Sequence, residues 1–82
     1  MTDEDRQRRI HELDATLRVG KGGIEPVADE LADQVTDRGL VEVKFLRSAR
    51  GGTTTDELAA ELASLAGASL VQTRGHTAVY EG

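Results

Sequence analysis

Apolar residues recur along this chain in two rhythms, one of period two and one of period three to four. The first is clearest from Leu40 to Arg47, where Val41, Val43 and Phe45 alternate with Glu42 and Lys44, and Leu40 and Leu46 stand at the ends. Alternation sends successive side chains to opposite faces, so this stretch predicts a strand with one buried side. Thr16 to Gly20 predicts an earlier strand, with Leu17 and Val19 inward. Ala68 to Arg74 and Thr77 to Glu81 predict two more, joined by a short turn at Gly75-His76 or Arg74-Gly75.

The longer rhythm predicts three helices. Asp3 to Leu13 has Ile10 and Leu13 as its apolar pair. Ile24 to Arg38 carries Val27, Leu31 and Val35 on one stripe, flanked by Ala28 and Ala32. Thr54 to Ala66 carries Leu58, Leu62 and Leu65. Pro26 suits a first helical turn, and Gly39 and Gly67 suit helix ends. Thr54 with Glu57 fits a capping box, and Thr53 with Asp56 is the competing frame. Ser48 to Thr53, around Arg50-Gly51-Gly52, reads as a mobile loop.

The order is helix, strand, helix, strand, helix, strand, strand. Two strand–helix–strand units imply parallel pairing with right-handed crossovers, and the closing hairpin is antiparallel. Only one sheet face is strongly apolar. The expected architecture is therefore an α/β two-layer sandwich with a four-stranded mixed sheet. Eighty-two residues make one domain, 1–82.

Composition narrows the function classes. The chain has no cysteine, and neither histidine stands at ligand spacing from another donor, so neither metal nor cofactor is expected. No apolar run approaches the ~20 residues of a membrane span. The charged stretch from Thr2 to Arg9 is unlike a secretory signal, so a cytoplasmic location is expected, and separately a monomer. Net charge is −5, which opposes simple nucleic-acid binding. The charges are segregated, however. Glu25, Asp29, Glu30, Asp33 and Asp37 fall in one predicted helix, and Asp56, Glu57 and Glu61 in the next. Arg18, Lys21, Lys44, Arg47, Arg50 and Arg74 fall in strands and loops, and Arg6, Arg8 and Arg9 in the first helix. Those three arginines either form a basic face or pair with Asp5 and Glu12. A segregated surface can bind a polyanion despite a negative total. Scarce lysine, abundant acid and 2% aromatics also fit a high-salt proteome.

The candidate chemistry centres on Arg18-Val19-Gly20-Lys21-Gly22-Gly23-Ile24-Glu25-Pro26. A strand runs into glycines that enclose a lysine, and a helix begins just after them. Glycines permit close backbone approach, and a helix start offers free N–H groups to an anion. The loop is not a Walker A motif, because Lys21 precedes Gly22 rather than Ser or Thr. Gly20-x-x-Gly23 matches the GxxG type that clamps a nucleotide backbone. The same four residues also suit an ordinary strand-to-helix turn. His76 either contacts phosphate or is an exposed turn residue, and His11 is expected on a helix surface. Phe45 is expected in the core. Tyr80 could stack on a base, but a half-buried strand tyrosine is the expectation. No triad or carboxylate pair stands out, so no enzyme is expected.

Leu17-Arg18-Val19-Gly20-Lys21-Gly22-Gly23-Ile24, Leu40 to Leu46 and Ala68 to Tyr80 together resemble the CRM domain (chloroplast RNA splicing and ribosome maturation) in its stand-alone YhbY-like form. The resemblance covers nearly the whole chain, and the acidic bias suggests a salt-loving archaeal version. It implies a fold similar to the C-terminal domain of bacterial translation initiation factor 3. It also implies RNA binding by the glycine loop and nearby basic surface, with ribosomal RNA and pre-ribosomal particles as partners and large-subunit assembly as the role. Gly20, Lys21, Gly22 and Gly23 match the family loop, and Gly75 matches its hairpin glycine. His76 stands where many members have arginine. The expected RNA contacts are Arg18, Gly20, Lys21, Gly22, Gly23, Lys44, Arg47, Arg74, Gly75 and His76. The alternative is a protein-interaction module that docks a basic partner on the acidic helices.

Overall fold

A computed structural model describes residues 3–82; the Thr2 end of the charged N-terminal stretch lies outside them. The elements are α1 (Asp3–Glu12), β1 (Ala15–Val19), α2 (Glu25–Arg38), β2 (Leu40–Phe45), α3 (Thr55–Ala66), β3 (Ser69–Arg74) and β4 (Thr77–Glu81). Their order is the one that the apolar rhythms predict. No helix among them is long and apolar enough to cross a membrane.

The sheet order is β1-β2-β4-β3. β1 and β2 pair in parallel, and the other pairs are antiparallel. The second strand–helix–strand unit therefore holds no parallel pair, because β4 inserts between β2 and β3. Burial explains the insertion. Ala78, Val79 and Tyr80 of β4 are all buried, whereas no residue of β3 is. The most apolar strand of the hairpin takes the interior position and leaves β3 at the edge.

α2 and α3 pack on one face over Leu17, Val19, Val41, Val43, Phe45, Ala78 and Tyr80. This is the expected sandwich. α1 adds a short cover on the opposite face, where Ile10 packs with Leu40 and Val79. The Arg6 guanidinium meets the Glu81 carboxylate at 2.8 Å, so it serves to tie α1 to β4. Arg9 donates to the Arg38 carbonyl at 3.4 Å, where a cation suits the negative end of α2.

Three further expectations are corrected. β2 ends at Phe45, and residues Arg47–Ala49 form a 3-10 turn, with Ala49 N–H donating to the Leu46 carbonyl at 2.9 Å. Much of the presumed mobile loop is therefore hydrogen-bonded turn. The second correction is in α3. Its buried residues are Ala59 and Leu62, Leu58 is half-buried, and Leu65 is 55% exposed. The third is Tyr80, which is fully buried rather than half-buried. Its hydroxyl donates to the Ala59 carbonyl at 2.9 Å. Of the two capping frames, Thr54 is the cap, accepting from the Glu57 N–H at 3.2 Å.

Burial also pushes the Tyr80 phenol above its ordinary pKa, because the phenolate would lose hydration. The unfolded phenol ionises from about pH 10, while the folded one stays neutral to higher pH. The stability from this group is thus complete below about pH 10 and is lost as pH rises beyond it. Wild-type unfolding free energy should fall, from this group, by about 1.4 kcal/mol per pH unit above that point. Tyr80→Phe should remove that share of the slope. Urea titrations of both proteins between pH 9 and 11 would check this, and equal slopes would refute it.

Candidate nucleic-acid interface

The topology gathers the predicted site at one end of the sheet. β1 and β2 run parallel, so their C-terminal ends lie together. β4 runs antiparallel to β2, which brings the β3–β4 turn to the same end. The glycine loop leaves β1 there, the Arg47 turn leaves β2 there, and Gly75-His76 closes the hairpin there. Backbone bonds join the three. Leu46 N–H donates to the Val19 carbonyl at 2.8 Å, and Phe45 N–H to the His76 carbonyl at 2.7 Å.

The glycine loop is a tight turn. Gly23 N–H donates to the Gly20 carbonyl at 3.0 Å, which leaves Lys21 and Gly22 exposed at the tip. Gly23 has φ +82°, a region that side chains with a Cβ avoid. Gly22 has ordinary φ, and a Cβ there would meet only Pro26 Cγ, at 4.0 Å. The two glycines therefore separate conformation from access. Gly23→Val should destabilise the fold by about 1–2 kcal/mol. Gly22→Val should leave the melting temperature near wild type, yet weaken ligand binding by blocking the backbone. Thermal melts paired with binding titrations would check both, and normal binding by Gly22→Val would remove the backbone as a contact.

α2 follows the turn without a side-chain cap at Ile24. The helix start offers an anion less than expected: Pro26 has no N–H, the Val27 N–H donates to the Ile24 carbonyl at 3.0 Å, and exposed Glu25 competes for the same positive end. At the other side of the site, Gly75 has φ +58° and His76 does not have positive φ. That combination fits a II′ hairpin turn, which needs glycine at its first central position. Both residues are exposed.

The cations form a row that follows from register. Arg18 lies beside Lys44, Lys44 beside Thr77, and Thr77 beside Arg74. Neighbouring strands are ~4.8 Å apart, so the row spans about 14 Å. Arg18, Lys44 and Arg74 are all exposed. Their flanking residues Leu17, Val19, Val43, Phe45 and Ala78 point into the core, so the row lies on the opposite face, the one that α1 covers farther down. Arg47 is exposed in its turn beside the row.

The sheet also separates the charges. Glu25, Asp29, Glu30, Asp33, Asp37, Asp56, Glu57 and Glu61 are exposed on α2 and α3, in the layer behind the row. A polyanion is repelled from that layer and steered to the other face. Arg8 is exposed on α1 and stands outside the cation row.

Two residues near the site were not among those expected to act there. His11 lines a narrow crevice of about 60 Å³ at the edge of α1, with Arg74, Glu42 and Gln72. Only the docking of α1 places it there. Arg50 follows the 3-10 turn, and its Nε is buried without a hydrogen-bond partner among the described residues. A buried donor left unmatched costs free energy until an acceptor reaches it. The glycine next to it was the only local signal.

Tyr80 and Phe45, the only tyrosine and phenylalanine in a chain without tryptophan, are both fully buried. Neither can stack on a base.

Comparison with known proteins identifies the family. The model of the CRS1/YhbY (CRM) domain family matches residues 2–80. A probable RNA-binding protein of Methanocaldococcus jannaschii is 35% identical over 68 residues, which are 83% of this chain and 51% of the relative. The chain thus spans about half the length of the curated relative it matches. The solution structure of a hypothetical Staphylococcus aureus protein, described as a candidate RNA binder, superposes with a TM-score of 0.71 at 28% identity. That superposition covers 95% of this chain and 80% of the other.

Proposed function

The chain belongs to the CRS1/YhbY (CRM) domain family, and from that membership we propose that it binds RNA, with ribosomal RNA as its target and large-subunit assembly as its role. The observation that carries this reading is the convergence of the Lys21 glycine turn, the Arg47 turn and the Arg74–His76 hairpin on one end of the sheet. The exposed backbone around Gly22 receives a phosphate, and Lys21 supplies the charge. Gly20 and Gly23 close the turn that presents them. Arg18, Lys44, Arg47, Arg74 and His76 hold neighbouring phosphates, with Gly75 shaping the hairpin. The protein acts without catalysis, holding RNA in a form that the next assembly step can use.

Crosslinking to RNA in the protein's own cells, followed by sequencing of the bound fragments, tests the target. A peak in large-subunit ribosomal RNA that Lys21→Glu removes is the expected result. A peak in introns or transfer RNA would keep RNA binding and refute the assembly role. Absence of any RNA above background would refute the whole reading.

One observation favours a second reading. Leu65 is 55% exposed, and it lines an open groove with Ile24 and Ala60 between the acids Glu25 and Glu61. A basic protein partner would match that charge and cover the leucine. Recovery of such a partner after RNase treatment, lost in Leu65→Glu, would support it.

A further inference from the structure

The surface described above also speaks to the form of RNA it takes, an inference that rests on the RNA-binding reading. One common class of single-strand readers stacks bases on exposed aromatic rings, on a sheet face or along a groove. Here Phe45 and Tyr80 are both fully buried, and no tryptophan exists in the chain. The open part of the sheet face instead carries Arg18, Lys44, Thr77 and Arg74 in one straight row. These side chains offer charge and hydrogen bonds but no ring.

The row is also rigid where it matters. Arg18, Lys44 and Arg74 all stand on strands of one hydrogen-bonded sheet, so their backbone positions are held in fixed register. Cations whose backbone anchors are held about 14 Å from end to end suit a partner whose phosphates are themselves held at fixed positions. A flexible single strand loses conformational entropy on meeting such a row, whereas a helix has already lost it. The Lys21 turn stands at the same end of the sheet, directly after β1, and adds an exposed cation there. On the other side the acidic layer of α2 and α3 denies a second wrapping surface, so the ligand lies against one face only. Double-stranded RNA is recognised in this manner, through backbone and shape, because its deep groove hides the bases from side chains.

We propose that this surface binds base-paired RNA, reading its phosphate backbone along Arg18, Lys44 and Arg74 together with the Lys21 turn, and that it does not read bases.

The test compares a 20-base-pair RNA duplex, each of its strands alone, and a duplex of scrambled sequence, at several salt concentrations. The duplex should bind at least about tenfold tighter than either strand, the worth of one charge-assisted hydrogen bond. The scrambled duplex should bind equally well. Combined Arg18→Gln, Lys44→Gln and Arg74→Gln replacements, all at exposed positions, should reduce the slope of log affinity against log salt by about 3. Circular dichroism confirms that this variant is folded, and the three single variants, each lowering the slope by about 1, stand in for it otherwise. Tighter binding of the single strands would overturn the proposal and leave RNA binding intact. An unchanged salt slope would overturn the role of the row. Failure of every RNA form to bind would overturn the proposal and the RNA-binding reading together.

Discussion

Lys21→Glu is expected to weaken RNA binding about 100-fold and to leave thermal stability unchanged. Lys21 is exposed at the tip of a turn that is closed by backbone atoms, Gly23 N–H to the Gly20 carbonyl. Its side chain is no part of that closure, so replacement leaves the turn in place. A hydrogen bond to a charged group contributes about 1.5–3 kcal/mol, so loss of the lysine alone corresponds to about tenfold or more. Reversal adds repulsion between the new carboxylate and the phosphate, beside Glu25 at the start of α2. The two effects together account for about two decades. Lys21→Gln separates them and should lose about tenfold. Fluorescence anisotropy with labelled ribosomal RNA fragments gives both values, and a thermal melt of each variant supplies the control. Equal dissociation constants for wild type and Lys21→Glu would remove the glycine turn from the interface.

The residues of the site were legible one by one, but their arrangement was not. Lys44 shows in the sequence as the polar member of an alternating strand, and Lys21 as a cation among glycines. That Arg18, Lys44 and Arg74 share one row depends on strand order and register. Those are long-range properties, settled by which strand buries more. β4 wins the interior because Ala78, Val79 and Tyr80 are all buried, and its antiparallel course carries Arg74 to the end where β1 and β2 finish.

The misplaced face of α3 has a similar origin. Leu58, Leu62 and Leu65 fit a helical stripe, and so do Ala59, Leu62 and Ala66. Sequence spacing cannot choose between them, because hydrophobicity favours the leucines and close approach favours the alanines. Ala59 and Leu65 point about 120° apart around a helix of 3.6 residues per turn, so both cannot face the core. The alanine side is the one that meets the sheet: the Tyr80 hydroxyl donates to the Ala59 carbonyl at 2.9 Å there, and Leu65 is turned to solvent.

The burial of Tyr80 makes Tyr80→Ala the substitution with the largest expected effect on folding. Tyr80 is among the largest fully buried side chains, and it stands on β4, between β2 and β3. Truncating a buried aromatic costs about 3–5 kcal/mol through lost burial and an unfilled cavity. A domain of 82 residues has roughly 4–12 kcal/mol of stability in total, at the usual range per residue. The variant should therefore stand at or near the edge of unfolding at 25 °C. Tyr80→Phe keeps the ring and loses only the bond to Ala59, so it should cost about 1 kcal/mol, because a typical hydrogen bond contributes no more. The difference between the two variants measures ring packing apart from the hydrogen bond. Chemical denaturation followed by circular dichroism would check both values. If Tyr80→Ala stayed within about 1 kcal/mol of Tyr80→Phe, the ring would not be what holds α3 on the sheet.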